Sequence, residues 1–548
     1  MNHGLYSCAS RLRNRVGAGL APALLLLALC LFALPAARAD TLGAPSTPDA
    51  LFAAGKFEPA RAGYTAAVLA APRDPALHIG LVRTLLRLDQ WAEAVTEARA
   101  AATQFPQNAD LHSLFALALI RAGWQPPCVD EAKQSLTLDA TNYWGLVASG
   151  RLADWDGKED EARTDFRKAA TAQPALPDAW LGLIDTLDDE RDAKEKDAAT
   201  AAYLKLDTQG YPHDTEREGL LDFQTHAAAY EKAFGGKSTF SHVGAETPEA
   251  AKSATVTVEF VRDYAVFPVT LNGKKFRLLF DTGGGEGVTL AKNPARRLGL
   301  TPVAHSYLRG VGGKDPSDVL RADTLTLGGL TLQNIVINTM RDTPADTDGL
   351  LSGEVLDDSV VTLDYVQAAA TLSHGPAAAA PPPLPGDAVV AVPFRLYRGH
   401  LFCLLALNTV PLWTMLDTGN EQTFLSLRLA KTQLGTVSKD DSHQGTFKGR
   451  SGIGSDARTD YIYSDDESDV TLSQSPLAMI STKTIGVSSL DRYISPDFGF
   501  EIGMLLGAST FTSARRVTFD YPHHLMTFEY VIPPPSMPVE KPGKKTKK

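Results

Sequence analysis

Two short stretches of this 548-residue chain hold residues that could do chemistry together. Leu278, Leu279 and Phe280 lead into Asp281-Thr282-Gly283, and Met415 and Leu416 lead into Asp417-Thr418-Gly419. In each, an apolar run with the grammar of a buried strand stops at a carboxylate and a small turn former. One Asp-Thr-Gly triplet says little, because turns favour Asp and Gly for backbone reasons alone. Two carboxyls brought within about 3 Å of each other are another matter. They cannot both ionise, so they share one proton and offer a base and an acid to a single water molecule. That chemistry calls for no metal, cofactor or covalent nucleophile.

Each triplet has a downstream counterpart. Asp348-Gly349-Leu350-Leu351-Ser352-Gly353 and Val360-Val361-Thr362-Leu363-Asp364-Tyr365 follow the first. Gly503-Met504-Leu505-Leu506-Gly507 and Val517-Thr518-Phe519-Asp520-Tyr521 follow the second. A repeat of hairpin, turn, Gly-rich middle, Leu-Leu pair and closing strand reads as a duplicated domain. It resembles the aspartic protease superfamily, in particular retropepsin-like domains in tandem, over roughly Val256 to Tyr530. The resemblance implies two all-β lobes meeting at a pseudo-two-fold axis, with Asp281 and Asp417 as the catalytic pair. It implies that Thr282, Gly283, Thr418 and Gly419 support the active-site loops. It also offers Gly310, Gly312 and Gly313 as the tip of a mobile flap, although ordinary hairpin turns need the same glycines. The chain departs from the family pattern at Gly284 and Asn420, where Ala or Ser is usual, and at Ser352, with Gly353 one place late.

The elements that position these residues can be read in order. Residues 47–208 are expected to form an all-α solenoid of about four helical hairpins resembling tetratricopeptide repeats. Leu77, Leu111, Trp144 and Trp180 recur at about 34 residues, the period of that repeat. Asp74-Pro75 and Pro177-Asp178 mark helix starts. The bland reading of the Trp and Leu positions is packing between helices, while the stacked hairpins offer a surface for a protein partner. Residues 209–252 read as a connector, with helical sequence from Glu216 to Phe234. Residues 253–374 read as the first lobe, opening on a hairpin turned at Asn272-Gly273. A Pro/Ala-rich linker, 375–387, leads to the second lobe, 388–531, whose acidic run Asp465-Asp466-Glu467 reads as a solvated loop. The Pro- and Lys-rich tail, 532–548, has a disordered composition.

Composition narrows the function. With 44% hydrophobic and 21% charged residues, most of the chain is expected to be globular. Residues 1–39 have the layout of a secretory signal peptide: Arg11, Arg13 and Arg15, an apolar core from Ala21 to Leu34, then Ala37-Arg38-Ala39. Export to a bacterial periplasm or the outside is expected, an uncleaved N-terminal membrane anchor being the alternative. Those residues hold four arginines and no acidic residue, so their loss takes the formal charge from −11 to −15. Such a protein repels nucleic acid and anionic membranes. After cleavage no integral membrane span is expected. Cys128 and Cys403 remain, in different expected domains, and read as small buried hydrophobes without disulfide or zinc spacing. The isolated pair His523-His524 offers no metal set. Two functions follow: an exported aspartic endopeptidase acting on a peptide or protein substrate, or a non-catalytic interaction scaffold built from repeats and inert β modules.

Overall fold

In the computed structural model the described residues are 47–123, 126–187, 192–206, 253–285, 287–310, 313–343, 346–374, 378–407, 410–432, 444–448, 458–463, 468–472, 479–482 and 484–531. Between 207 and 252 only 217, 220, 221, 232, 245 and 246 are described. The signal-like segment, most of the connector, the acidic run and the basic tail lie outside these residues.

The chain opens with helices α1 (Pro48–Ala53), α2 (Phe57–Ala70), α3 (Pro75–Arg87), α4 (Trp91–Gln104) and α5 (Ala109–Arg121). It continues with α6 (Cys128–Leu138), α7 (Tyr143–Trp155), α8 (Glu159–Ala172), α9 (Pro177–Thr186) and α10 (Ala193–Leu204). They form five hairpins where the repeat spacing indicates about four, because α1 has only six residues and leaves no periodic signal. The starts are chemically marked. Asp74, Asn108 and Asn142 accept hydrogen bonds from first-turn N–H groups, and Pro75 and Pro177 occupy first-turn positions. Helices α3, α5, α7 and α9 pack side by side as one layer.

The first lobe comprises β1 (Ser253–Thr257), β2 (Tyr264–Leu271), β3 (Lys274–Asp281), β4 (Val288–Ala291) and β5 (Ala304–Gly310). It closes with β6 (Gly313–Leu327), β7 (Leu330–Met340), β8 (Gly349–Ser352), β9 (Ser359–Asp364) and β10 (Ala369–His374). The β2–β3 hairpin turns at Asn272-Gly273, both at positive φ (45° and 77°), the backbone that Asn-Gly favours. A two-residue strand in the connector, Ala245–Glu246, adds to β7. The second lobe repeats the plan with β11 (Asp387–Pro393), β12 (His400–Leu407), β13 (Val410–Asp417), β14 (Thr423–Ser426), β15 (Gln444–Lys448) and β16 (Arg458–Tyr463). It ends on β17 (Met504–Gly507), β18 (Arg516–Asp520) and β19 (Leu525–Val531).

Between the lobes lies a six-stranded sheet in the order β11-β19-β18-β9-β10-β1, three strands from each lobe. At its centre the two Asp-Tyr strands pair antiparallel, Thr362 opposite Thr518, with their hydroxyl oxygens 2.9 Å apart. The pseudo-two-fold axis passes through that pair. The linker is docked on this sheet. Arg516 and Glu529, 6% and 3% exposed, make a bidentate pair, and linker groups complete it: the Pro382 carbonyl accepts from Arg516 at 2.8 Å and the Leu384 N–H donates to Glu529 at 3.3 Å.

The helical layer is packed against the second lobe. Trp155, at the end of α7, is buried among Tyr397, Phe402, Trp413 and Phe500, with Trp413 4.8 Å away edge-to-face. Arg121 donates to the Gly499 carbonyl at 2.7 Å, and Arg398 pairs with Asp185 of α9 at 2.7 Å. Among the described residues no helix is long and apolar enough to cross a membrane.

Candidate active site

Asp281 ends β3 and Asp417 ends β13, each on a strand whose last four residues are all buried. Behind them the Leu-Leu strands run parallel. Leu351 pairs with Phe280 and Ser352 with Asp281, while Leu506 pairs with Leu416 and Gly507 with Asp417. The carboxylates therefore sit at the rim of two fixed strands, where position is set by backbone rather than by side-chain rotamer.

The threonines join the two loops. Thr282 Oγ1 donates to the Leu416 carbonyl at 2.8 Å and accepts from the Thr418 N–H at 3.1 Å. Thr418 Oγ1 donates to the Phe280 carbonyl at 2.7 Å and accepts from the Thr282 N–H at 3.0 Å. Four cross-lobe hydrogen bonds, all buried, tie each loop to the strand that carries the other aspartate. Gly283 and Gly419 donate N–H groups to the Oδ1 atoms of Asp281 and Asp417, at 3.0 and 2.9 Å. The glycines are needed for space. A Cβ at Gly419 would stand 2.2 Å from Asp281 Oδ1, and one at Gly283 2.5 Å from Asp417 Cγ.

The two carboxyls are in hydrogen-bonding contact with each other. Burial, and then the Asp281 charge, hold the Asp417 carboxyl well above the usual range. Burial also raises Asp281, opposed by hydrogen bonds from Asp417 and from the N–H groups of Gly283, Gly284 and Gly419. The pair thus favours one shared proton.

The departures from the family pattern have local causes. Ser352 Oγ donates to the Gly284 carbonyl at 3.3 Å and accepts from the Glu354 N–H at 3.2 Å, so a hydroxyl there braces the Asp281 loop. Glycine falls one place later because a Cβ at 353 would lie 2.3 Å from Tyr521 Oη. In the second lobe the pressing atom is the Gln422 carbonyl, 2.3 Å from a Cβ at Gly507. Asn420 Nδ2 donates to the Gln422 carbonyl at 2.6 Å and closes the second loop on itself.

Strands β5 and β6 form a hairpin in which Gly310 pairs with Gly313. Its tip, with Gly312, lies outside the described residues. The second lobe has the counterpart hairpin β15–β16, whose connection, including Gly449, Gly452 and Gly454, is likewise outside them. Cys128 and Cys403 are buried free thiols, the first pushed up to about 11 by burial. His523 pairs with Asp520 at 2.7 Å, and among the described residues no cluster could hold a metal ion.

Sequence reasoning missed the pair of residues that open the hairpins leading to each aspartate. Tyr264 and His400 each stand seventeen residues before an aspartate, at the start of β2 and β12. The Tyr264 hydroxyl lies in the field of Glu421 and Asp417 of the second lobe, and Gly399, before His400, lies against the Glu354 carboxyl of the first. Their equal spacing was the available signal.

Two known families match parts of the chain. Residues 267–355, from β2 through the Asp281 loop to Val355, match the aspartyl protease family, and residues 51–120 match the tetratricopeptide repeat. No curated protein matches the chain. Solved structures similar to it include a thermophilic TPR protein of Thermus thermophilus, at 17% identity and TM-score 0.27, covering 32% of this chain and 95% of that one. MamA is similar at 14% identity and TM-score 0.22, over 32% of this chain and 99% of its own. The chain therefore carries an aspartyl protease domain at residues 267–355 and tetratricopeptide repeats at residues 51–120.

Proposed function

We propose that the chain is an exported aspartic endopeptidase that hydrolyses peptide bonds with a water activated between Asp281 and Asp417. The observation that carries this reading is the pair of buried, mutually hydrogen-bonded carboxyls on loops locked together by Thr282 and Thr418. In the resting state the two carboxyls share one proton. The ionised carboxyl of the pair takes a proton from the water as it attacks the scissile carbonyl, and the protonated one gives its proton to the carbonyl oxygen. The tetrahedral intermediate then collapses as the amine leaves with a proton returned from the dyad. Both carboxyls come from one chain, so no homodimer is required. The helical repeats recruit a protein substrate or partner, and the signal-like segment directs the chain to the periplasm or outside.

The scaffold reading calls for carboxyls that face separate solvent. The hydrogen bond between them supports the catalytic reading instead. The test is incubation of residues 40–548 with a peptide library beside Asp281→Asn and Asp417→Asn. Each substitution is expected to lower cleavage by about 10²–10⁴-fold while the chain stays folded. Undiminished cleavage by the double variant would overturn the assignment.

A further inference from the structure

We propose that a groove between α7 and α8 binds a tryptophan side chain presented by a protein that the helical repeats recruit. This rests on the reading of the repeats as the recruiting part of the molecule, and not on the dyad. Helices α3, α5, α7 and α9 begin at Pro75, Ala109, Tyr143 and Pro177, each 34 residues after the one before. Their fourth positions are His78, His112, Leu146 and Trp180. Three of these are rings with an N–H, and all three make the same bond. His78 Nε2 donates to the Pro72 carbonyl at 3.0 Å, His112 Nε2 to the Pro106 carbonyl at 3.1 Å, and Trp180 Nε1 to the Pro174 carbonyl at 2.9 Å. A carbonyl only accepts, so each of those ring nitrogens carries a proton.

The third repeat lacks the ring. Leu146 has no donor, and the carbonyl six residues before it belongs to Ala140, which accepts no hydrogen bond among the described residues. A second filler is missing too. Gln104 donates to the Pro72 carbonyl at 2.9 Å in the first repeat, and its equivalent two repeats on is Ala172. What remains is a groove of about 490 Å³, lined by buried Leu146 and by exposed Ala140, Thr164, Arg167, Lys168 and Ala172. That volume falls within the roughly 300–1,000 Å³ of ligand sites.

The neighbouring repeats also say which ring fits. Histidine in this place uses both nitrogens, the second facing Glu97 for His78 and Glu131 for His112. The equivalent acid in the third repeat, Asp165, is engaged: it accepts from Ser149 Oγ at 2.7 Å and pairs with Lys168 at 3.6 Å. In the fourth repeat the equivalent is Ala199, and there the ring is an indole with one N–H on one carbonyl. An indole therefore matches what the groove offers, an apolar wall and a single acceptor. The Arg167 head group is held by Glu195 at 2.7 Å, and its methylene stem adds to that wall.

The test is calorimetry on the Asp281→Asn chain, so that binding is read apart from cleavage. The probes are acetyl-Gly-Trp-Gly-amide, its 1-methyltryptophan analogue and free tryptophan. Adding Ala172→Gln gives the third repeat the side chain that takes this carbonyl in the first, at an exposed position where melting is expected to stay unchanged. The capped tripeptide is expected to bind with a Kd at or below about 1 mM. Binding is expected to weaken at least about fivefold with Ala172→Gln, and as much for the methylated analogue, which has no N–H to donate. No binding at about 10 mM tripeptide, equal affinity with and without Ala172→Gln, or an analogue that binds as tightly as the tripeptide would overturn the proposal. Free tryptophan binding more tightly than the tripeptide would overturn it too, by assigning the groove to the amino acid. None of these results bears on cleavage of the peptide library, so the dyad stands on its own test.

Discussion

Asp417 is stored in an unfavourable ionisation state, and that is measurable at the scale of a single residue. Its folded carboxyl titrates well above its unfolded value, chiefly because it is buried and then because Asp281 is charged. A carboxyl shifted upward contributes stability that is complete below the unfolded pKa and is lost as pH rises through the folded one. Asp417→Asn is therefore expected to melt higher than wild type at neutral pH, and the gain should shrink as pH falls toward the ordinary carboxylate range. Melting curves across that range decide it, and a variant less stable than wild type at neutral pH would refute the sign. The two aspartates and threonines could be read from the sequence because their chemistry repeats in a fixed local pattern. The bracing role of Ser352 could not, because its partner Gly284 lies far away in the chain and nothing local marks a side chain aimed at a distant backbone.

Elements were legible where a local rule determines them and obscure where a tertiary one does. The Asn272-Gly273 turn and the proline and Asn/Asp helix starts follow from backbone preference. The closing strands that end in Asp-Tyr read as late strands of each lobe, and they are, but their main role is to pair with each other across the axis. No periodicity marks which neighbour an apolar strand will take. The Pro/Ala-rich segment likewise reads only as a linker, whereas Pro382 and Leu384 serve a buried ion pair. Removing one partner leaves the other charge buried, so Glu529→Ala is expected to cost about 3–5 kcal/mol of stability. Chemical denaturation measures it, and a cost below about 1 kcal/mol, the worth of an exposed pair, would mean that Arg516 finds another partner or water.

Across the whole molecule, the helical repeats are part of the same body as the second lobe, and the junctions carry buried acids. Burial pushes Asp154 up to about 6 and Glu354 and Glu501 up to about 7. Glu354 lies beside Gly399 between the lobes, and Glu501 lies at the helical contact, its N–H donating to the Arg121 carbonyl. All three shifts are upward, so their contribution to stability is complete below the unfolded carboxylate range and is lost as pH rises through about 6 to 7. The melting temperature is expected to fall as pH rises across that window, and Glu501→Gln should reduce the fall; an unchanged slope would exclude Glu501 as a cause. The central claim is that one chain supplies both carboxyls of one hydrolytic site. Calorimetry with a statine-type pseudopeptide, whose hydroxyl mimics the tetrahedral intermediate, tests it most directly. The expected result is one inhibitor bound per chain, with affinity lowered at least about 100-fold in both Asp281→Asn and Asp417→Asn. One inhibitor per two chains, or equal affinity in wild type and both variants, would contradict it.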